Sequence, residues 1–105
     1  MIVEVLSFAG CPNDGPARQT VQRLLDELEL EAEVRAVDVP DLEAAEHLRF
    51  LGSPTVRVNG RDVEPGADER SGYTFACRIF QTERGLTGQP DEAWIRDALV
   101  RAAGS

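Results

Sequence analysis

Cys11 and Cys77 are the only thiols in the chain, and Cys11 has the more telling neighbours: Ser7-Phe8-Ala9-Gly10-Cys11-Pro12-Asn13-Asp14, between an apolar run and a helical pattern. A thiolate is the reactive form of cysteine, and a helix N-terminus favours it through the helix dipole and unpaired N–H groups. Asp14, one turn on, has two readings: a helix-start anion with no chemistry, or a proton shuttle for a leaving group. As an anion it opposes thiolate formation. Cys77 also has two readings, a small core residue or a second thiol that resolves an intermediate on Cys11. A bridge would close a long loop, at a chain-entropy cost of about 4 kcal/mol, so the fold must hold the two thiols together beforehand.

The elements that must position these groups follow from periodicity. Ile2 to Phe8 is almost continuously apolar and reads as a strand covered on both faces. Gly10, Pro12 and Gly15-Pro16 mark a turn. A helix follows to Leu28, with Val21, Leu24, Leu25 and Leu28 on one face. Ala32 to Val39 alternates and reads as a second strand, parallel to the first because a helix joins them. Pro40 ends it, and Asp41 caps a short helix from Leu42 to about Leu51 that Gly52 closes. Its inward positions are Leu42, Ala45, Leu48 and Leu51. Thr55 to Val58 is a third strand, and Asn59-Gly60 predicts a hairpin to Asp62-Val63.

The segment from Ala67 to Gly88 is ambiguous. Tyr73, Phe75, Cys77 and Ile79 alternate as in a strand, whereas Phe75, Ile79 and Phe80 suit one face of a helix. The expectation is loop plus one or two helical turns, with Gly85 to Gly88 a loop. A final helix is expected from about Pro90 to Ala103, with Trp94, Ile95, Ala98 and Leu99 inward.

The order βαβ, α, β-hairpin, α resembles the thioredoxin-like superfamily over most of the chain. The fold class it implies is α/β, a central four-stranded mixed sheet flanked by helices, within one domain over 1–105. The resemblance puts the reactive cysteine at Cys11 and a cis-proline at Pro54 of Ser53-Pro54-Thr55. It makes Pro12, Ser53, Pro54 and Thr55 substrate contacts, with the backbone near Pro54 open as an edge for an extended thiol substrate. Asp14 stands where the family's second Cys-x-x-Cys cysteine would be. Phe8-x-Gly10-Cys11-Pro12-Asn13 is also similar to small stand-alone thioredoxin-like proteins. A weaker resemblance is to alkylmercury lyases: Cys11-Pro12-Asn13-Asp14 followed by Cys77 matches their Cys-x-x-Asp and distant cysteine. There Cys11 and Cys77 would hold the metal and Asp14 would protonate the leaving carbon.

Composition bounds the alternatives. The 105-residue chain carries a net charge of −8 and all its cations are arginine. That disfavours nucleic-acid and anionic-membrane partners. With no leader pattern and no long apolar run, the expected location is the cytoplasm, where lasting disulfides are rare. The single histidine, His47, reads as a surface residue, and no Cys-His zinc site can be assembled. Trp94 reads as core or helix anchor. Arg78 reads as a surface ion pair, or as a cation serving Cys77 or an anionic substrate. Tyr73 and Phe75 either wall the site or simply pack. Thiol–disulfide exchange at Cys11, resolved by Cys77 or by an outside thiol such as glutathione, with protein or small-molecule thiols and disulfides as partners and no cofactor, is the first expectation. A soft-metal or organomercurial protein using Cys11, Cys77 and Asp14 is the second, and a non-catalytic binding module the third. Oligomeric state is left open.

Overall fold

A computed structural model describes residues 1–104. Ten elements follow one another: β1 (Ile2–Ser7), α1 (Asp14–Glu27), β2 (Glu33–Asp38), α2 (Leu42–His47), β3 (Thr55–Val58), β4 (Arg61–Asp62), a 3₁₀ turn (Ala67–Glu69), β5 (Phe80–Thr82), β6 (Gly85–Thr87) and α3 (Glu92–Ala103). The main sheet has the order β2-β1-β3-β4. β1 runs parallel to β2 and antiparallel to β3, and β3 antiparallel to β4.

Burial explains why β1 is apolar on both faces. Val3 and Val5 join Val56 and Val58 of β3 in a core with Ala17, Val21, Leu24 and Leu25 of α1 and Ile95 and Leu99 of α3. Leu6 points into a second cluster with Val39, Ala45 and Phe50, beneath α2. The sheet therefore lies between α1 and α3 on one side and α2 on the other. Each fully buried aliphatic side chain contributes about 1.5–3 kcal/mol. Among the described residues no helix is long and apolar enough to cross a membrane.

The Asn59-Gly60 turn forms as its sequence predicts, with positive φ at both residues (50° and 84°). Asn59 also ties the hairpin to β1, because its side-chain oxygen accepts from the Ile2 N–H at 2.9 Å. The α2 end differs from expectation. Its cap is Leu48, followed by Arg49 at φ +56°, with Arg49 N–H donating to Glu46 C=O and Phe50 N–H to Ala45 C=O. That is a Schellman closure made without glycine. Arg57 reinforces it by donating to the Leu48 and Arg49 carbonyls. Burial pulls the Arg57 guanidinium below its ordinary pKa range, against the opposing pull of Asp62 and Glu4. Leu42, expected inward, is half exposed because the shortened helix presents only Ala45 fully to the core.

The segment from Ala67 to Gly88 begins as expected, with a 3₁₀ turn at Ala67–Glu69 followed by irregular chain to Ile79. Its end is corrected: Gly85 to Gly88 is not simply loop, because β5 and β6 form a separate antiparallel hairpin with Gly85 at φ +94°. Phe75, Cys77 and Ile79 lie outside any helix. These three side chains are exposed, while Arg78 and Phe80 are buried.

Helix α1 ends as α2 does, with exposed Glu29 at φ +54° in the position glycine prefers. Glu29→Gly should raise unfolding stability by up to about 1 kcal/mol, measured by urea denaturation with an unchanged m-value.

Candidate functional site

Cys11 sits in the turn that carries β1 into α1. Gly10 at φ +85° reverses the chain, and the Cys11 N–H donates to the Phe8 carbonyl at 3.2 Å. Cys11 is half-buried and in no disulfide. Asn13 occupies the N-cap of α1, but its side chain caps nothing. It is held instead from outside: the Gln89 side chain donates to its carbonyl at 2.9 Å and to its Oδ1 at 3.3 Å. Gly88 leaves the space that the Asn13 side chain fills. The turn is thereby anchored to the segment leading into α3.

Asp14 lines the same cleft as Cys11. That cleft is about 250 Å³ and is also walled by Phe8, Val37 and Asp38. Both Asp14 oxygens are engaged. The Ser7 hydroxyl donates to one at 2.9 Å, and Arg18 Nε and Nη2 donate to the other at 3.2 and 3.0 Å.

The β1–β3 register pairs Leu6 with Thr55. Its continuation sets Pro54 level with Ser7 at the end of the sheet from which the Cys11 turn leaves. The Ser53–Pro54 peptide is cis, as expected. Of the four expected substrate contacts only Pro12 is exposed, whereas Ser53, Pro54 and Thr55 are buried. The Thr55 hydroxyl donates to the Gly52 carbonyl at 2.7 Å.

The edge expected to lie open at Ser53 is filled by the chain itself. Cys77 pairs with Ser53 in an isolated parallel bridge. Ser53 N–H donates to Ala76 C=O and Arg78 N–H to Ser53 C=O, each at 2.9 Å, while Thr74 N–H donates to Phe50 C=O at 3.0 Å. The Phe8 and Phe75 rings meet at 5.2 Å between centroids, so the Cys77 segment also touches the Cys11 turn. Cys77 is exposed rather than core.

Arg78 pins this segment, and it is not the surface ion pair expected. Its side chain is 1% exposed and bridges Asp62 at 2.7 Å and Glu64 at 2.6 Å. It donates to the Thr55 hydroxyl at 3.0 Å and lies 4.4 Å from the Phe80 ring centroid. Phe80 in turn contacts Trp94, which is half-buried on α3 as an anchor. With both carboxylates and the ring engaged, Arg78 is committed to structure and not to an anionic substrate. Gly52 is the second residue missed. Its φ is +126°, and a Cβ there would lie 2.8 Å from the Arg78 Cβ and 3.2 Å from the Ala76 carbonyl oxygen. Asp62 and Glu64, two apart on one hairpin arm, were the available signal for a buried cation.

Among the described residues no three His, Cys, Asp or Glu side chains gather at metal-ligating range, so Cys11, Asp14 and Cys77 do not form such a cluster. His47 is exposed on the last turn of α2.

Arg78→Met should cost about 3–5 kcal/mol in urea denaturation, because it strands the largely buried Asp62 carboxylate and leaves Glu64 with Arg70 alone. Gly52→Ala should also destabilise, and hydrogen exchange should quicken at the Ser53 and Arg78 amides before the β1–β3 core amides. Compared with family models, with curated proteins and with solved structures, the chain gives no match in any of the three.

Proposed function

We propose that this chain is a thioredoxin-like thiol–disulfide oxidoreductase whose nucleophile is Cys11 and whose resolving thiol is Cys77. Three features support the fold family: the β2-β1-β3-β4 order with helices on both faces, a cysteine at the β1–α1 turn, and a cis-proline opening β3. The observation that carries the functional reading is the Ser53–Cys77 bridge. It holds the chain's other thiol on a segment that contacts both the cis-proline junction and the Cys11 turn.

The chemistry balances without a cofactor. The Cys11 thiolate attacks a disulfide RSSR, an S–S bond forms between Cys11 and one RS group, and the other leaves as thiolate. The Cys77 thiolate then attacks the Cys11 sulfur and releases the second RS. The protein dithiol is oxidised to a disulfide while RSSR is reduced to two thiols; two equivalents of an external thiol then restore the dithiol and leave as their own disulfide. Its partners are small-molecule or protein thiols and disulfides of a reducing compartment such as the cytoplasm.

One observation favours a second reading. Cys11 and Asp14 share a cleft, as an organomercurial lyase with a thiolate and a nearby acid requires. In that case Cys11 and Cys77 hold the soft metal. Cleavage of a carbon–mercury bond that is lost in Asp14→Ala would support it over exchange.

Under the exchange reading, Cys11→Ser should reduce a small disulfide no faster than background. Cys77→Ser should stop at a stable mixed disulfide on Cys11 and release only one small thiol per chain, seen by intact mass. Complete two-thiol release by Cys77→Ser without added thiol would remove Cys77 from the mechanism.

A further inference from the structure

We infer that the site serves small, neutral or cationic disulfides and does not take an extended polypeptide at the Ser53 edge. The inference rests on the exchange reading of Cys11 and names its substrate class.

The first support is that the edge is already paired. The Ser53 N–H and C=O are spent on Ala76 and Arg78, and Phe50 C=O on Thr74. A peptide could pair with Ser53 only by displacing Thr74 to Arg78, so each hydrogen bond it formed would replace an existing one, with little net gain. Displacement would also draw Arg78 away from Asp62, Glu64, Thr55 and the Phe80 ring. Gly52 fits the resident segment closely enough that a single Cβ would collide with it. These contacts hold the segment in place while leaving Cys77 exposed.

The second support is the space that remains. The cleft beside Cys11, about 250 Å³ and open to solvent, matches the size of one small thiol moiety. Asp14 and Asp38 line it and no basic side chain does, although Arg18 pairs with Asp14 from beside the cleft. The whole chain carries −8. A cationic disulfide is therefore drawn in and an anionic one repelled, most strongly at low ionic strength.

The test measures second-order rates of the reduced protein with four disulfides: cystamine, bis(2-hydroxyethyl) disulfide, glutathione disulfide, and a neutral eight-residue cysteine peptide joined to 2-mercaptoethanol. Each rate is divided by that of the same disulfide with a neutral model thiol, which removes leaving-group differences. The expected order is cystamine, then the hydroxyethyl compound, then glutathione disulfide, spanning about tenfold or more at low salt and compressing as salt is added. The peptide should react no faster than the hydroxyethyl compound, and the Ser53 and Arg78 amides should stay protected from exchange when peptide is in excess. A peptide rate about tenfold above the hydroxyethyl compound, or loss of that protection, overturns the edge argument. Glutathione disulfide reacting as fast as cystamine overturns the charge preference. If none of the four modifies Cys11 faster than the model thiol, the exchange reading fails and the inference fails with it.

Discussion

The parallel docking of Thr74 to Arg78 along Phe50 to Ser53 is the constraint on which the candidate site depends. Three backbone hydrogen bonds make it, and the buried Arg78 ion pairs fix it against β4 and the chain just beyond. A buried ion pair adds little net stability compared with apolar packing, but breaking one is costly. Its effect here is to specify register. Arg78 can meet Asp62 and Glu64 only when Cys77 is opposite Ser53, so the position of the thiol is set by a charge buried one residue away.

That arrangement assigns separate tasks to the two ends of the site. The Cys11 turn is held by Gln89 through Asn13 and by Ser7 and Arg18 through Asp14. The Cys77 segment is held by Arg78. The Phe8–Phe75 ring contact joins the two directly. The two thiols thus stand on separately anchored segments. The exposed face of the segment, with Phe75, Cys77 and Ile79, is open to reagents from solution.

Much of the fold was legible in the sequence because its signals are local. The β1 run, the α1 and α3 periodicities and the Asn59-Gly60 turn each depend on residues a few positions apart. At the candidate site, the turn at Cys11 and the cis peptide at Pro54 were legible. What escaped was non-local. The Ser53–Cys77 pairing leaves no pattern in either segment alone, and a short polar-to-apolar stretch suits strand or helix equally. Gly52 had an adequate local explanation as a helix stop, which concealed the close approach of Arg78 that demands it. The helix stop itself fell to Arg49, a residue whose left-handed conformation no propensity announces. Arg78 looked exposed because arginine usually is, and only its distant carboxylates and Phe80 make burial tolerable.

The central claim is that Cys11 and Cys77 act as one redox pair across the cis-proline junction. The most direct measurement is equilibration of the reduced protein in glutathione buffers of graded potential, followed by intact mass and non-reducing peptide mapping. The account predicts a single reversible transition in which the protein loses the mass of one hydrogen pair and the Cys11 and Cys77 peptides elute joined. Glutathione on either cysteine with no joined peptide at any potential, or a Cys11 that stays reduced throughout, would contradict it.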